Sequence, residues 1–398
     1  MRRPLLSTSV SLGLAAPIVL AAAASLYAAA ASIYKVTLSG SDPAIQYDAT
    51  SSADRAAPLV NSDARLDLRG VLDRLSIDPS SQMLVFSKDS FQATRISPRN
   101  PRAIYFTDDV AVGWVRGSRD LEIAATDPKL GPVFYKYSSE TGRATRETVC
   151  IKCHQGNATL GVPGVFVGSV FPDASGAPER DGAIITDHRT PFADRWGGWY
   201  VTALHGEQVD RANGVAPDPA DPHAIANQGK RNLASLIKEV NLTGYLEPTS
   251  DIVALMTFEH QTQMTNYMTR LNWESRIAAR EGKPQPDVRE IVDYMLFRDE
   301  VKLTEPVEGV SRFTEDFARR GPRDSKGRSL REFDLKTRLF RYPLSYMLYS
   351  AQFAALPEPI KSAIYRGVYD GLKENSPETV EIVRETVPDL PDYWRIHE

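Results

Sequence analysis

The chain of 398 residues contains two cysteines, and both lie in one five-residue segment, Cys150 to His154, which reads C-x-x-C-H. This spacing is typical of covalent haem attachment, because two thiols three positions apart can each add to one vinyl group of a porphyrin. The histidine that follows then lies under the iron as its proximal ligand. Since no cysteine remains for a structural disulfide, the fold has to be held by its apolar core.

We therefore expect one covalent haem c, bound through Cys150 and Cys153, with His154 as the proximal axial ligand. Three other uses of the motif stay open. A redox dithiol shares the C-x-x-C spacing, although the flanking residues do not suggest the βαβ context it usually has. A structural zinc site would need about four ligands and hence a distant histidine. The two thiols could also form a disulfide or lie idle in the core.

The N-terminus predicts export. Arg2 and Arg3 precede an uncharged run rich in Ala, Leu and Val, from Val10 to Ala31, and small residues at its end permit cleavage. The run is also long enough to cross a bilayer if it is not cleaved. We interpret residues 1–36 as a signal peptide or an N-terminal membrane anchor. Both place the rest of the chain in the periplasm or on the outer face of the cytoplasmic membrane.

Composition indicates an ordinary globular protein after this leader, with 42% hydrophobic and 25% charged residues. The net charge is −4 and the predicted isoelectric point is near 6.0, so no basic excess is available to attract nucleic acid. The expected partners are redox proteins.

Hydrophobic periodicity changes along the chain. Leu66 to Leu75 has helical spacing, and six short β-type runs follow, separated by Asp, Gly, Pro and Asn, which suits an antiparallel meander. The runs are Met83–Phe86, Ala103–Phe106, Val110–Val115, Leu121–Ala125, Val133–Tyr137 and Trp199–Val201. Later segments read as helices, namely Leu233–Val240, Asp251–Arg280, Val288–Phe297, Tyr346–Ala355, Pro359–Leu372 and Pro377–Thr386.

These patterns predict an α+β fold that is mainly α, with a small antiparallel β region in the N-terminal half, a haem-binding middle segment and an α-helical C-terminal half. After the leader we expect a linker over 37–62, a β-containing region over 63–140, a haem-attachment region over 141–230 and a helical region over 231–398. No amphipathic helix precedes the motif, so a minimal class I cytochrome c fold is not expected.

The longest predicted helix carries the leading candidates for the distal axial ligand. Met256, His260 and Met264 are spaced i, i+4 and i+8, which places them on one helix face. His260 is our first candidate and Met264 the alternative; His188, His205, His223 and Met268 are further ones. Such a stripe is more often simply part of the core.

The segment Thr186 to His205 is dense in arginine and tryptophan. Haem propionates are anionic and pair well with such N–H donors. We expect Arg189 or Arg195, together with Trp196, to contact the propionate edge. The alternative is a buried structural network in which these groups satisfy one another.

The C-x-x-C-H with the loop Gly161-Val162-Pro163-Gly164 after it resembles cytochrome c domains. The resemblance implies that the carbonyl of Pro163 accepts the proximal histidine Nδ1–H. Three longer stretches, Ser97–Ala103, Thr186–Gly206 and Phe333–Tyr346, are similar to large exported single-haem proteins with a cytochrome c domain. That group implies no catalytic residues.

Electron transfer in the bacterial cell envelope is the first functional hypothesis, because a haem with two protein ligands shuttles single electrons without a substrate pocket. The alternative is a haem enzyme, peroxidase- or oxygenase-like, or a gas or redox sensor, which requires an open distal position.

Overall fold

An antiparallel sheet and a long buried helix form the framework of the protein. The computed structural model describes residues 36–395, except for 51, 61, 179–182, 217–220, 222–224 and 226–229. The predicted leader lies outside the described residues apart from Val36. None of the described helices is long and apolar enough to cross a membrane.

Seven of the nine strands in the described residues form one sheet. The strands are β1 (Met83–Val85), β2 (Arg102–Phe106), β3 (Val110–Val115), β4 (Asp120–Asp127), β5 (Gly131–Ser138), β6 (Arg143–Arg146), β7 (Val167–Ser169), β8 (Ile184–Thr186) and β9 (Trp199–Tyr200). The large sheet has the order β6-β5-β4-β3-β2-β1-β9, and β7 pairs with β8. All paired strands are antiparallel, which confirms the predicted α+β class and the meander.

Both faces of the sheet carry side chains of the core. We call the side that carries Met83, Ile104 and Phe106 the helix face, because Phe106 packs on Phe258 of the long helix with ring centroids 4.8 Å apart. The other side, with residues such as Tyr105, packs under the N-terminal segment. This alternation is the period of two that a pleated strand imposes.

The described helices are α1 (Ala57–Val60), α2 (Leu68–Arg74), α3 (Ile151–His154), α4 (Ile252–Glu281), α5 (Arg289–Met295), α6 (Phe313–Arg319), α7 (Ala351–Ala354), α8 (Glu358–Leu372) and α9 (Pro377–Thr386). Helix α4 is 30 residues long and 24 of them are buried, so it runs through the interior rather than over it. Its C-terminus is closed by Gly282, whose φ of 64° is the left-handed conformation that glycine adopts without strain.

Several sequence expectations need correction. The large sheet has one strand more than expected, because β6 was not among the predicted runs, whereas the predicted run Trp199–Val201 is confirmed as β9. The predicted helix Leu233–Val240 is a series of turns. Its backbone pairs with other segments instead, since Leu236 N–H donates to Pro248 and the carbonyl of Leu233 accepts from Ala203. The predicted helix Asp251–Arg280 is confirmed as α4, with Asp251 as its N-cap.

Asp251 links the start of α4 to a distant loop. Its buried carboxylate accepts from the backbone N–H groups of Val253 and Ala254 in the first turn of α4. It also accepts from Val310 and Ser311, both at 2.9 Å. One side chain therefore satisfies four backbone donors that would otherwise lose their hydrogen bonds in the interior.

We expect Asp251→Ala to lower the free energy of unfolding by about 2–4 kcal/mol, more than an ordinary N-cap, because buried donors are left unpaired on two elements. Asp67→Ala is the matched control. Asp67 caps α2 at an exposed site and, among the described residues, accepts from Gly70 alone, so its loss should cost about 0.5–1 kcal/mol. Urea unfolding of both variants measures the difference; equal losses would contradict the role given to Asp251.

Candidate haem-attachment site

The C-x-x-C-H segment follows the edge strand of the sheet. After β6, a 3-10 turn over Thr148–Cys150 leads directly into α3, which contains Cys153 and His154. Cys150 is half-buried, Cys153 is exposed, and both are free thiols. Positions three apart on a helical turn lie on the same side, so the two sulfur atoms can be offered to one planar group.

The environment of Cys150 does not favour a reactive thiolate. Burial raises the pKa of its thiol to about 11, and the negative charges of Glu122 and Glu147 act in the same direction. Redox dithiols work through a thiol whose pKa is lowered instead. The redox alternative therefore loses support.

No three His, Cys, Asp or Glu side chains converge as a metal site in the part of the chain that the structure describes. The described residues thus offer no complete ligand set for the structural zinc alternative.

His154 is held in one orientation. Its Nδ1 lies 3.0 Å from the carbonyl oxygen of Gly164, and its ring lies near Phe134 and Phe166, with centroids 4.8 and 5.7 Å away. Burial lowers the pKa of the imidazole, which favours the neutral ring. Because a carbonyl can only accept, Nδ1 carries the proton and Nε2 carries the lone pair. Nε2 has no hydrogen-bond partner among the described residues, so it is available to a metal.

The carbonyl that orients His154 belongs to Gly164, and the assignment to Pro163 was wrong by one residue. The N–H of Gly164 also donates to the carbonyl of His154 at 2.9 Å, so the two residues are paired in both directions. A side chain at position 164 would collide with Asn266 and Thr159. Glycine is therefore required at this position by close packing.

The loop after the motif is fastened to α4. The amide of Asn266 donates to the carbonyl of Val165 and accepts from its N–H. Arg270 donates to the carbonyl of Leu160. Thr159 closes the loop internally by donating to Val162 at 2.7 Å. The position of His154 is thus set by the long helix as well as by the sheet.

Small side chains cover the helix face of the sheet next to the motif. Ala111 pairs with Ala124, and Ala124 pairs with Phe134, so the three lie in one row across β3, β4 and β5. Gly113 belongs to the same face, two residues after Ala111. We call Ala111, Gly113 and Ala124 the sheet floor. Both alanines are half-buried, so part of the floor is exposed in the row that also contains Phe134, whose ring contacts His154.

An ion pair crosses this floor. Arg102 Nη2 of β2 and Glu122 Oε2 of β4 are 3.0 Å apart. Arg102 lowers the pKa of His154 and Glu122 raises it, while Glu122 also raises the pKa of Cys150. The charges of the pair therefore reach both the histidine and the first cysteine of the motif.

The two leading distal candidates lie elsewhere in the interior, and His223 lies outside the described residues. His260 is fully buried, with Nδ1 at 2.9 Å from Nδ1 of His188 and Nε2 at 2.7 Å from Ser345 Oγ. Both ring nitrogens are already used, so iron ligation by His260 would break one of these bonds. Met264 is also fully buried, in the apolar core. Within the described residues, no hydrogen bond or ring contact joins His260 to His154.

Arg189, Arg195 and Trp196, the expected partners of the haem propionates, are bonded to carboxylates of the protein. They form the buried structural network that the sequence left open as the alternative. Glu259 accepts from Arg195 Nη1 at 3.2 Å and from Trp196 Nε1 at 3.0 Å. Arg189 pairs with Asp187 at 2.6 Å. Burial raises the pKa of Glu259, and Arg195 lowers it. These donors are engaged by carboxylates of the protein itself, so a haem propionate would have to compete with them.

Sequence reasoning missed the sheet floor and the ion pair above it. The strands were recognised, but their polar and small residues were not assigned to a common face. The alternation in β4, where Glu122 and Ala124 lie between the buried Leu121, Ile123 and Ala125, was the available signal.

Comparison with known proteins adds no family, since the chain matches no protein-family model, no curated protein and no solved structure. The interpretation of the site therefore depends on its own geometry.

The buried pair of His188 and His260 should make the protein less stable in acid. Burial lowers the pKa of His188 and of His260 well below the ordinary value. The folded state keeps both rings neutral, whereas the unfolded chain protonates them below about pH 6.5. The contribution of the two neutral histidines to the free energy of unfolding is therefore complete above that pH and is lost as the pH falls below it.

The free energy of unfolding should fall between pH 6.5 and pH 5.5 in both proteins. We expect this fall to be about 1 kcal/mol smaller in His188→Gln than in the unaltered protein, because the variant has one buried neutral histidine fewer. Arg119→Gln, at an exposed position, should keep the original pH dependence. Urea unfolding at the two pH values measures this, and an unchanged dependence in His188→Gln would contradict the neutral pair.

Proposed function

We propose that the protein is a c-type cytochrome with one haem attached to Cys150 and Cys153, and that it transfers electrons in the bacterial cell envelope. The single observation that carries the proposal is the state of His154. Its Nδ1 is held by the Gly164 carbonyl, which leaves the Nε2 lone pair free for an iron, directly after two free thiols.

The residues present fit a haem. The two thiols lie on one side of a helical turn, Cys153 is exposed, and neither is consumed by a disulfide. Phe134 and Phe166 supply apolar contacts next to the proximal ring, and the small residues of the sheet floor lie in the same row as Phe134. When bound, the haem supplies one-electron chemistry; the chain holds it, orients its proximal ligand and limits its contact with water.

The hydrogen bond from His154 to Gly164 has a chemical consequence for such a ligand. It fixes the tautomer and raises the basicity of Nε2, which strengthens the bond to iron. The two hydrogen bonds between the Asn266 amide and the backbone of Val165 hold the neighbouring Gly164 carbonyl in place. These residues would therefore keep the proximal geometry unchanged between redox states, which suits electron transfer.

Export and redox partners complete the proposal. Haem attachment of this kind takes place outside the cytoplasm, and residues 1–36 read as a leader or anchor. We propose a location in the periplasm or on the outer face of the cytoplasmic membrane, with redox proteins as partners.

A second candidate, a haem enzyme or a gas sensor, is favoured by one observation. His260 has both ring nitrogens engaged and Met264 lies in the apolar core, so neither leading candidate is prepared for ligation. If no other side chain takes that role, the distal position is open to a small molecule.

Attachment is tested by coexpression with a haem-attachment system, followed by intact-mass measurement and haem staining of denatured protein. We expect one haem per chain in the unaltered protein, none in Cys150→Ser/Cys153→Ser, and an altered axial-ligand spectrum in His154→Gly. Lys152→Ala lies within the motif and should behave like the unaltered protein. Absence of covalent haem from correctly exported, folded protein would refute the proposal.

The distal position is tested by optical titration of the purified protein with carbon monoxide and cyanide. Electron transfer predicts a low-spin, six-coordinate spectrum that these ligands do not change. A high-spin spectrum that changes on ligand addition would favour the second candidate. His260→Ala decides the ligand itself, because an unchanged spectrum removes His260 from consideration.

A further inference from the structure

Arg102 and Glu122 meet across a strand that lies between them. Arg102 begins β2 and Glu122 belongs to β4, so the ion pair spans β3 on the helix face. A Cβ atom on Gly113 would lie 2.7 Å from Arg102 Nε and 2.9 Å from Nη2. The Nε and Nη2 edge of the guanidinium group therefore faces the backbone of Gly113, and the missing side chain at this position leaves room for Arg102 in its present position.

This pair is sheltered from water but is not fully satisfied. The side chains of Arg102 and Glu122 are 22% and 20% exposed. Gln92 donates to Glu122 Oε1 at 3.3 Å. Arg102 Nε and Gln92 Oε1 are buried without a hydrogen-bond partner among the described residues. Buried polar atoms are usually paired, so two such atoms beside the motif indicate that a polar group belongs there.

Sheltered charges act strongly on their neighbours because water screens them little. The pair lies on the same sheet face as Phe134, which contacts His154. Glu122 pairs with Lys136, two residues from Phe134 on β5, and Phe134 accepts from the N–H of Glu147, so the charge pair lies near the segment that carries Cys150 and His154. A group bound to those two residues over the floor would lie within the field of both charges.

We propose that Arg102 and Glu122 form the charge pair against which the haem is bound, and that their balance sets its reduction potential. This inference rests on the proposed haem attachment. Oxidised haem carries one more positive charge than reduced haem. Arg102 therefore favours the reduced state and raises the potential, and Glu122 favours the oxidised state and lowers it.

The test is a redox titration of the haem-loaded, full-length protein and three variants. Arg102→Gln should lower the potential and Glu122→Gln should raise it. Each change should alter the oxidised-to-reduced ratio at a fixed potential by about tenfold, or about 59 mV for one electron. The double variant should return close to the original potential. Arg102→Lys keeps the charge, so it should remain close to the original even if Arg102→Gln folds poorly.

The exposed pair Arg119 and Glu140 provides the control, since its side chains are 71% and 63% exposed and screened by solvent. Arg119→Gln should leave the potential unchanged. If Arg102→Gln and Glu122→Gln move the potential in the same direction, or not at all, with haem attached, the pair is structural and the inference fails. If the unaltered protein carries no covalent haem, the proposed function fails first, which intact mass distinguishes.

Discussion

The structure depends on one requirement, namely that every polar side chain of a buried 30-residue helix must find a partner in the interior. Several polar side chains of helix α4 meet it by bonding to the loops around the helix, and threonines such as Thr257 and Thr269 donate to carbonyl groups of the helix itself. Gln261 donates to Thr107 at the end of β2, Asn266 holds Val165, and Asn272 donates to Ala355. Each of these bonds fixes one loop relative to the helix. Apolar contacts alone would allow these loops to slide, whereas directional bonds specify one position.

The hydrogen bonds of helix α4 also fix the position of His154 in the C-x-x-C-H motif. Asn266 fixes the loop that presents the Gly164 carbonyl, and that carbonyl fixes the imidazole of His154. The sheet contributes from the other side, through Phe134 and through the small residues of the floor. His154 is therefore constrained by two independent elements that are distant in sequence, which is the pre-organisation that the proposed role as an iron ligand would require.

Local patterns predicted most of the framework. The meander, the long helix and the helices near the C-terminus follow from hydrophobic periodicity, and the motif follows from residue identity. Tertiary contacts decided the rest. The Leu233–Val240 segment has helical spacing, but its backbone bonds go to other segments. His260 lies on a buried helix face, as expected, yet its partners His188 and Ser345 come from separate regions of the chain. Position 164 replaced 163 as the acceptor because of loop geometry that spacing alone does not specify.

One feature of the sheet bears on how the chain folds. Strand β9 pairs with β1 through Val85 and Trp199, so this contact closes a long loop that contains the whole attachment segment. Contacts between residues so far apart in sequence lose much chain entropy and form slowly. The neighbouring strands β2 to β6 join through short connections and can pair first. We therefore expect the thiols to be translated and accessible well before the sheet is complete, so that the proposed haem attachment and folding would compete for the same segment of chain.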